Sequence, residues 1–181
     1  MKATHVAFLR GINVGRAKRV AMADLRALVE QLGYREVRTL LNSGNVVFTL
    51  PAGRAGDPAA RIEKALAAQL GVSSRVTVLT VAELADAVEA NPLLKVAKDP
   101  SRLLLAILSN PADRKRLEPL RAQDWAPEVL ALGTRVAYLW CANGILDGRL
   151  LGAVARVLGD AHTARNWATM QKLLALARAS V

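Results

Sequence analysis

Arg35-Glu36-Val37-Arg38-Thr39-Leu40-Leu41-Asn42-Ser43-Gly44-Asn45-Val46-Val47-Phe48-Thr49-Leu50 is the stretch whose reading decides the fold. Two runs rich in β-branched and apolar residues, Glu36 to Leu41 and Val46 to Leu50, flank Asn42-Ser43-Gly44-Asn45. That cluster of turn formers joins them as a β-hairpin, and Pro51 ends the second run.

Working outward, His5 to Leu9 reads as a short buried strand. Met22, Leu25, Leu28, Val29 and Leu32 then recur at helical spacing until Gly33 stops the helix. On the other side of the hairpin, Asp57-Pro58 opens a helix with Ile62, Leu66 and Leu70 on one face. Gly71 closes it, and Arg75 to Leu79 alternates as a strand. The order is βαββαβ, the split βαβ or ferredoxin-like unit, with an antiparallel sheet and both helices on one face. The strands at Val6 to Leu9 and Arg75 to Leu79 are expected at its centre.

A short helix, Val81 to Ala90, stops at Asn91-Pro92, which divides the chain into subdomains 1–91 and 92–181. The second subdomain opens with the apolar strand Leu103 to Leu108 and a helix started by Asn110-Pro111. Strands Glu128 to Leu132 and Arg135 to Cys141 flank Gly133-Thr134, and a helix from Leu150 to Leu158 follows. A last helix is expected over about Ala164 to Ala179. The topology echoes the first half, with Ala7-Phe8-Leu9 and Ala106-Ile107-Leu108 in equivalent places, as an ancient duplication would leave it.

A chain of 181 residues, 52% apolar and 22% charged, buries a sizeable core and is expected to be globular, with disorder a fitting reading only around Pro51 to Gly56. Its one cysteine, Cys141, has no intrachain partner, no signal-peptide pattern opens the chain, and Arg or Asp breaks every apolar run. A cytoplasmic location away from membranes is expected. The net charge of +10 suits a polyanion partner such as nucleic acid, although an Arg- and Ala-rich composition accounts for it equally well. The excess is spread out: residues 1–91 carry twelve cations against eight acids, and residues 92–181 thirteen against seven.

The strongest local bias lies before Asp24, in Arg10-Gly11-Ile12-Asn13-Val14-Gly15-Arg16-Ala17-Lys18-Arg19. This loop follows a strand, precedes a helix and lacks any acid, a place where backbone N–H groups and positive charge combine to hold an anion. Its spacing fails the P-loop template, so nucleotide triphosphate binding by that mechanism is not expected. Two readings stand: Arg10, Gly11, Asn13, Gly15 and Lys18 bind a phosphate-like group, or the glycines supply backbone angles and the cations are solvated.

Ser43, Gly44 and Asn45 are ordinary turn residues, but the βαββαβ topology puts their turn at the same end of the sheet as the Arg10 loop. Asn13 and Asn45 then offer amides either to a planar ligand or to each other's backbone. Thr163-Ala164-Arg165-Asn166-Trp167 is expected to open the last helix, with Thr163 as N-cap and Arg165 and Asn166 on its first turn. Either Arg165 grips an anion beside the Arg10 loop, or Trp167 packs in the core and Asn166 ties down a loop.

Two separated histidines, His5 and His162, and the lone Cys141 offer neither a nucleophile with a base nor a metal cluster, so no metal and no cofactor is expected. With seven aromatic residues in the chain, base stacking on an open sheet face is disfavoured, leaving salt-sensitive phosphate contact.

In combination, Phe8-Leu9-Arg10-Gly11-Ile12-Asn13-Val14-Gly15, Met22-Ala23-Asp24-Leu25, Leu41-Asn42-Ser43-Gly44-Asn45-Val46-Val47-Phe48 and Thr163-Ala164-Arg165-Asn166-Trp167 resemble the DUF1697 family of bacterial proteins. That family has no assigned function, and the resemblance implies a fold: α+β, built of two ferredoxin-like halves. This chain departs from the family pattern at Ala142 to Arg149, where a proline-glycine turn followed by Ser-Lys is expected, and at Ala168, where Asn is usual. Arg149 keeps the charge of that lysine without its compact ammonium geometry.

The functional expectation is a binding protein for a phosphate-bearing ligand, nucleic acid or nucleotide, at a site joining the three motifs. A metal-independent enzyme acting on a small anionic metabolite and a protein-interaction module are the alternatives.

Overall fold

In the computed structural model of the chain, which describes residues 3–16, 18–53 and 56–179, β1 (Ala3–Leu9) runs antiparallel between β3 (Asn45–Leu50) and β4 (Val76–Thr80). β2 (Arg35–Leu40) pairs with the far side of β3, giving the sheet order β2-β3-β1-β4. Strand β3 therefore shares the centre with β1. The expectation that Arg75 to Leu79 lies centrally is corrected: β4 is an edge, because the second crossover of a βαββαβ unit returns the chain to the outside of β1.

Period-2 alternation sorts the strands' side chains. Ala7, Leu9, Val46, Phe48 and Val76 join Leu25, Leu28, Val29, Ile62 and Leu66 in one core, beneath α1 (Met22–Gln31) and α2 (Pro58–Leu70). Helix α2 begins with Pro58 at its first turn and Asp57 accepting the Ala59 N–H at 3.0 Å, and it ends at Gly71 with φ 63°. The opposite sheet face is buried as well: Val6, Phe8, Val47 and Leu79 are inaccessible. No exposed platform for stacked bases exists on β1 or β3.

The outer strand β2 is irregular between Arg35 and Arg38, where Glu36 takes φ 53° and its carboxylate accepts the Thr49 hydroxyl at 2.6 Å. A bulge with charged residues blunts this edge against stray pairing. Helix α3 (Val81–Glu89) follows β4 directly through a reciprocal cap, the Glu83 carboxylate accepting the Thr80 N–H and the Thr80 hydroxyl accepting the Glu83 N–H.

The second sheet repeats the topology. β5 (Leu103–Leu108) lies between β7 (Val136–Trp140) and β8 (His162–Asn166), with β6 (Val129–Leu132) outside β7. Leu104, Ala106 and Leu108 pack with Leu117, Leu120, Val154 and Leu158 of α4 (Arg114–Arg121) and α5 (Leu150–Leu158). Ala7 and Leu9 of β1 thus correspond to Ala106 and Leu108 of β5, each pair facing its own two helices. Helix α4 is entered through a 3₁₀ turn, Pro111–Asp113, capped by Asn110.

The segment at Thr163 to Asn166 is the principal correction. It forms β8, paired in register Leu105↔Arg165 and Ile107↔Thr163, and the last helix, α6 (Trp167–Arg178), starts later. Central strand β5 is apolar on both faces and needs a hydrogen-bonded neighbour on each side, and this tertiary demand outweighs the weak strand propensity of the segment. Asn166, not Thr163, caps α6 by accepting the Thr169 N–H at 2.9 Å.

By packing, the chain forms two units, Met1–Leu84 with Leu173–Val181, and Ala85–Lys172. The boundary drawn from sequence follows the linear order of elements, whereas the first unit also takes the end of α6.

Candidate functional site

The connection from β1 to α1 runs from Arg10 to Ala21, and its described residues lie in the first unit. It leaves the sheet between two anchors. The Leu9 N–H donates to Gly44 O and the Arg10 N–H to Arg75 O, both at 2.9 Å, while the Ser74 hydroxyl donates to Arg10 O at 2.8 Å. The loop and the β2–β3 turn therefore meet at one end of the sheet.

Asn13 holds the loop closed. Its Nδ2 donates to Val20 O and to Asn42 O, each at 2.8 Å, and its Oδ1 accepts the Val20 N–H at 2.9 Å. The Asn13 N–H donates to Lys18 O at 3.0 Å. Two of the cations also brace the backbone: Lys18 Nζ donates to Ser73 O, and Arg19 to Gly15 O at 2.7 Å. Arg16 is exposed and meets no partner among the described residues.

Between these ties the backbone alternates in hand. Gly11, Asn13 and Gly15 have φ of 65°, 54° and 56°, whereas Ile12 and Val14 between them do not take positive φ. Alternation of hand is a feature of anion-binding nests, although here the central N–H, that of Asn13, is taken by Lys18 O. The N–H groups of Gly11, Ile12, Val14 and Gly15 meet no acceptor among the described residues. A Cβ at Gly11 or Gly15 would touch nothing within 4 Å, so glycine stands there for its φ and not for room.

Gly44 is different. A Cβ there would lie 2.7 Å from Ile12 Cδ1 and 2.8 Å from Leu9 Cβ, so its φ of 79° and the buried Ile12 both exclude a side chain. Asn45 is buried, its Nδ2 donating to Leu40 O at 2.8 Å and to Ser43 Oγ at 2.9 Å. Asn42 and Gly44 thus form the wall against which the Arg10 loop is folded, and Asn45 with Ser43 braces the turn behind it.

Beside this wall opens a depression of about 400 Å³ lined by Asn13, Arg19, Val20, Ala21, Met22 and Asn42. Helix α1 begins at its edge without a side-chain cap, its N-cap residue being Ala21. Val14 and Leu41, the chain neighbours of Asn13 and Asn42, are among the most exposed large apolar residues, and Leu41 takes φ 59°. Arg16, Arg19, Leu41, Asn42 and Met22 were not singled out from the sequence. All five lay within stretches already quoted, Arg16 and Arg19 in the cationic loop, and Met22, Leu41 and Asn42 in the blocks that carry the family resemblance.

A profile of the family described as "Protein of unknown function (DUF1697)" matches residues 2–138, well over half of the chain. The chain belongs to the DUF1697 family. No curated protein matches it. The DUF1697 chain is similar in structure to the conserved bacterial protein SP0830 from Streptococcus pneumoniae, with a TM-score of 0.74 at 21% identity over 97% of this chain and 99% of that one. That likeness bears on the fold of the DUF1697 protein.

Its third motif sits in the second unit. Arg165 lies on β8, its guanidinium donating to Thr163 Oγ1 at 3.0 Å and to Ala164 O at 2.9 Å. Burial lowers the Arg165 pKa to about 10, which leaves it charged at neutral pH. Trp167 is buried at the start of α6.

Cys141 is buried, and desolvation, with the nearby Glu128 carboxylate adding to it, raises its thiol pKa to about 11. It is therefore a protonated core residue at neutral pH. Glu128 itself is buried beside α5, where Oε2 accepts the Arg149 N–H at 2.9 Å and the Leu150 N–H at 3.2 Å. This carboxylate occupies the start of α5, the region where the DUF1697 pattern was expected to carry its lysine.

Among the described residues no group of three or more His, Cys, Asp or Glu side chains is placed to hold a metal ion. No helix among them is long and apolar enough to cross a membrane.

Proposed function

We propose that this DUF1697 protein is a cytoplasmic binding protein for a phosphate-bearing ligand, a nucleotide or a nucleic acid, held by the Arg10 to Arg19 loop. The observation that carries the reading is the alternation of backbone hand over Gly11 to Gly15, with four N–H groups that meet no acceptor among the described residues and no acid in the loop. Arg16 supplies an exposed charge, and the Asn13 and Gly44 contacts fix the loop before any ligand arrives, which lowers the entropy cost of binding. The six lining residues carry no carboxylate, imidazole, thiol or hydroxyl, so the depression brings no general base or nucleophile of its own. This favours binding over catalysis.

The test is a titration of amide shifts and affinity with inorganic phosphate, single-stranded RNA and duplex DNA at several salt concentrations, with heparin as a competitor lacking bases. Ligands are expected to move the Gly11 to Arg16 amides first. Gly11→Ala/Gly15→Ala and Arg16→Ala are each expected to weaken binding about tenfold, since the first disfavours the positive φ at both positions and the second removes a charged donor. Shifts scattered over all surface cations, with affinity unchanged in both variants, would reduce the binding to the +10 net charge and overturn the reading.

A further inference from the structure

Phosphate occurs as an internal diester along a strand or as a terminal monoester. Resting on the phosphate reading above, we infer that the site takes a terminal phosphate monoester carried on a flat, apolar-faced ring, the chemistry of a nucleoside 5′-phosphate. Gly11, Asn13 and Gly15 take positive φ within five residues, and the N–H groups of Gly11, Ile12, Val14 and Gly15 meet no acceptor among the described residues, a span that fits one phosphate and not a repeat along a backbone. Such N–H groups are matched by the three unesterified oxygens of a monoester, which also carries more charge than a diester. A diester presents two such oxygens and brings a sugar on each side into the loop walls.

The ring has its own place. The depression that opens beside Asn13 has about 400 Å³, the scale of a single small molecule, and Val20, Ala21 and Met22 make part of it apolar. At Asn13 and Asn42 the chain continues into Val14 and Leu41, which are 65% and 52% exposed. Leu41 keeps that exposure in a left-handed conformation that bulky L residues avoid, with no burial to compensate for it. Exposed aliphatic side chains next in the chain to the lining residues Asn13 and Asn42 would gain by covering the face of a nucleobase and gain little from a polyhydroxylated sugar. Both faces of the central strands in the adjoining sheet are buried, so a longer strand finds no stacking track there.

The experiment compares adenosine 5′-monophosphate, adenosine, ribose 5-phosphate, inorganic phosphate, and a short RNA with and without a 5′-phosphate, reading affinity and the Gly11 to Arg16 amide shifts. Adenosine 5′-monophosphate is expected to bind about tenfold tighter than adenosine or ribose 5-phosphate, and the phosphorylated RNA about tenfold tighter than its 5′-hydroxyl form. Leu41→Ser is expected to weaken adenosine 5′-monophosphate about threefold while leaving inorganic phosphate unchanged. Of the two supporting sources, tighter binding of the free nucleotide assigns the site to a small molecule, and tighter binding of the phosphorylated RNA assigns it to strand ends. Equal binding of ribose 5-phosphate and adenosine 5′-monophosphate, or equal binding of the two RNAs at an affinity matching that of the nucleotide, would overturn the inference while leaving the phosphate reading in place. If no probe, inorganic phosphate included, moves these amides, the phosphate reading itself fails.

Discussion

Single residues in the first unit separate two uses of the same backbone angle. Gly15 and Gly44 both have positive φ, but a side chain at Gly15 meets open space whereas one at Gly44 meets Leu9 and Ile12. Gly15→Ala is expected to cost about 1 kcal/mol through conformational strain alone. Gly44→Ala adds overpacking of about 1–3 kcal/mol, so it should lower the urea midpoint clearly more. Equal midpoints for the two variants would show that the Ile12 contact relaxes freely. The distinction was invisible in the sequence, where both are glycines in polar loops; what separates them is the distant Ile12 folding back onto the hairpin.

At the scale of the element, legibility followed local signals. Asp57-Pro58 and Gly71 bracket α2 as their chemistry requires, and the uniformly apolar Leu103 to Leu108 is β5 with the expected ends. His162 to Asn166 gave no such signal, because its only β-branched residue is Thr163 and no alternation of apolar side chains marks it. It is a strand because β5 offers an open edge, and only the three-dimensional pairing reveals that. The cap moves with the element. Asn166→Ala is expected to destabilise the protein by about 1 kcal/mol, while Asn166→Asp, which keeps the acceptor, should cost much less. Matching losses in both variants, measured by chemical denaturation, would remove the capping role.

For the whole molecule, two buried groups set an alkaline limit. Burial raises Cys141 from 9.0 to about 11, and burial with the nearby Asp86 charge raises Tyr138 from 10.0 to about 12. Each raised pKa means that the folded protein keeps a proton that the unfolded chain releases. Their stabilisation is fully present below about pH 9 and is lost progressively as pH rises through 11 to 12. Cys141→Ala should show a shallower decline in the urea midpoint between about pH 9 and 11 than the parent, the difference being on the order of 1–2 kcal/mol. Parallel curves would mean that the thiol titrates alike in both states.

The two halves share a strand order but differ in their first connection. Arg10 to Ala21 links β1 to α1, whereas only Ser109 and Asn110 separate β5 from its following turn. The protein thus carries an internal control for its own loop. Shortening the first connection toward the length of the second asks a question that no point substitution can: whether the sheet tolerates the cut because a sister sheet already lives without the insertion.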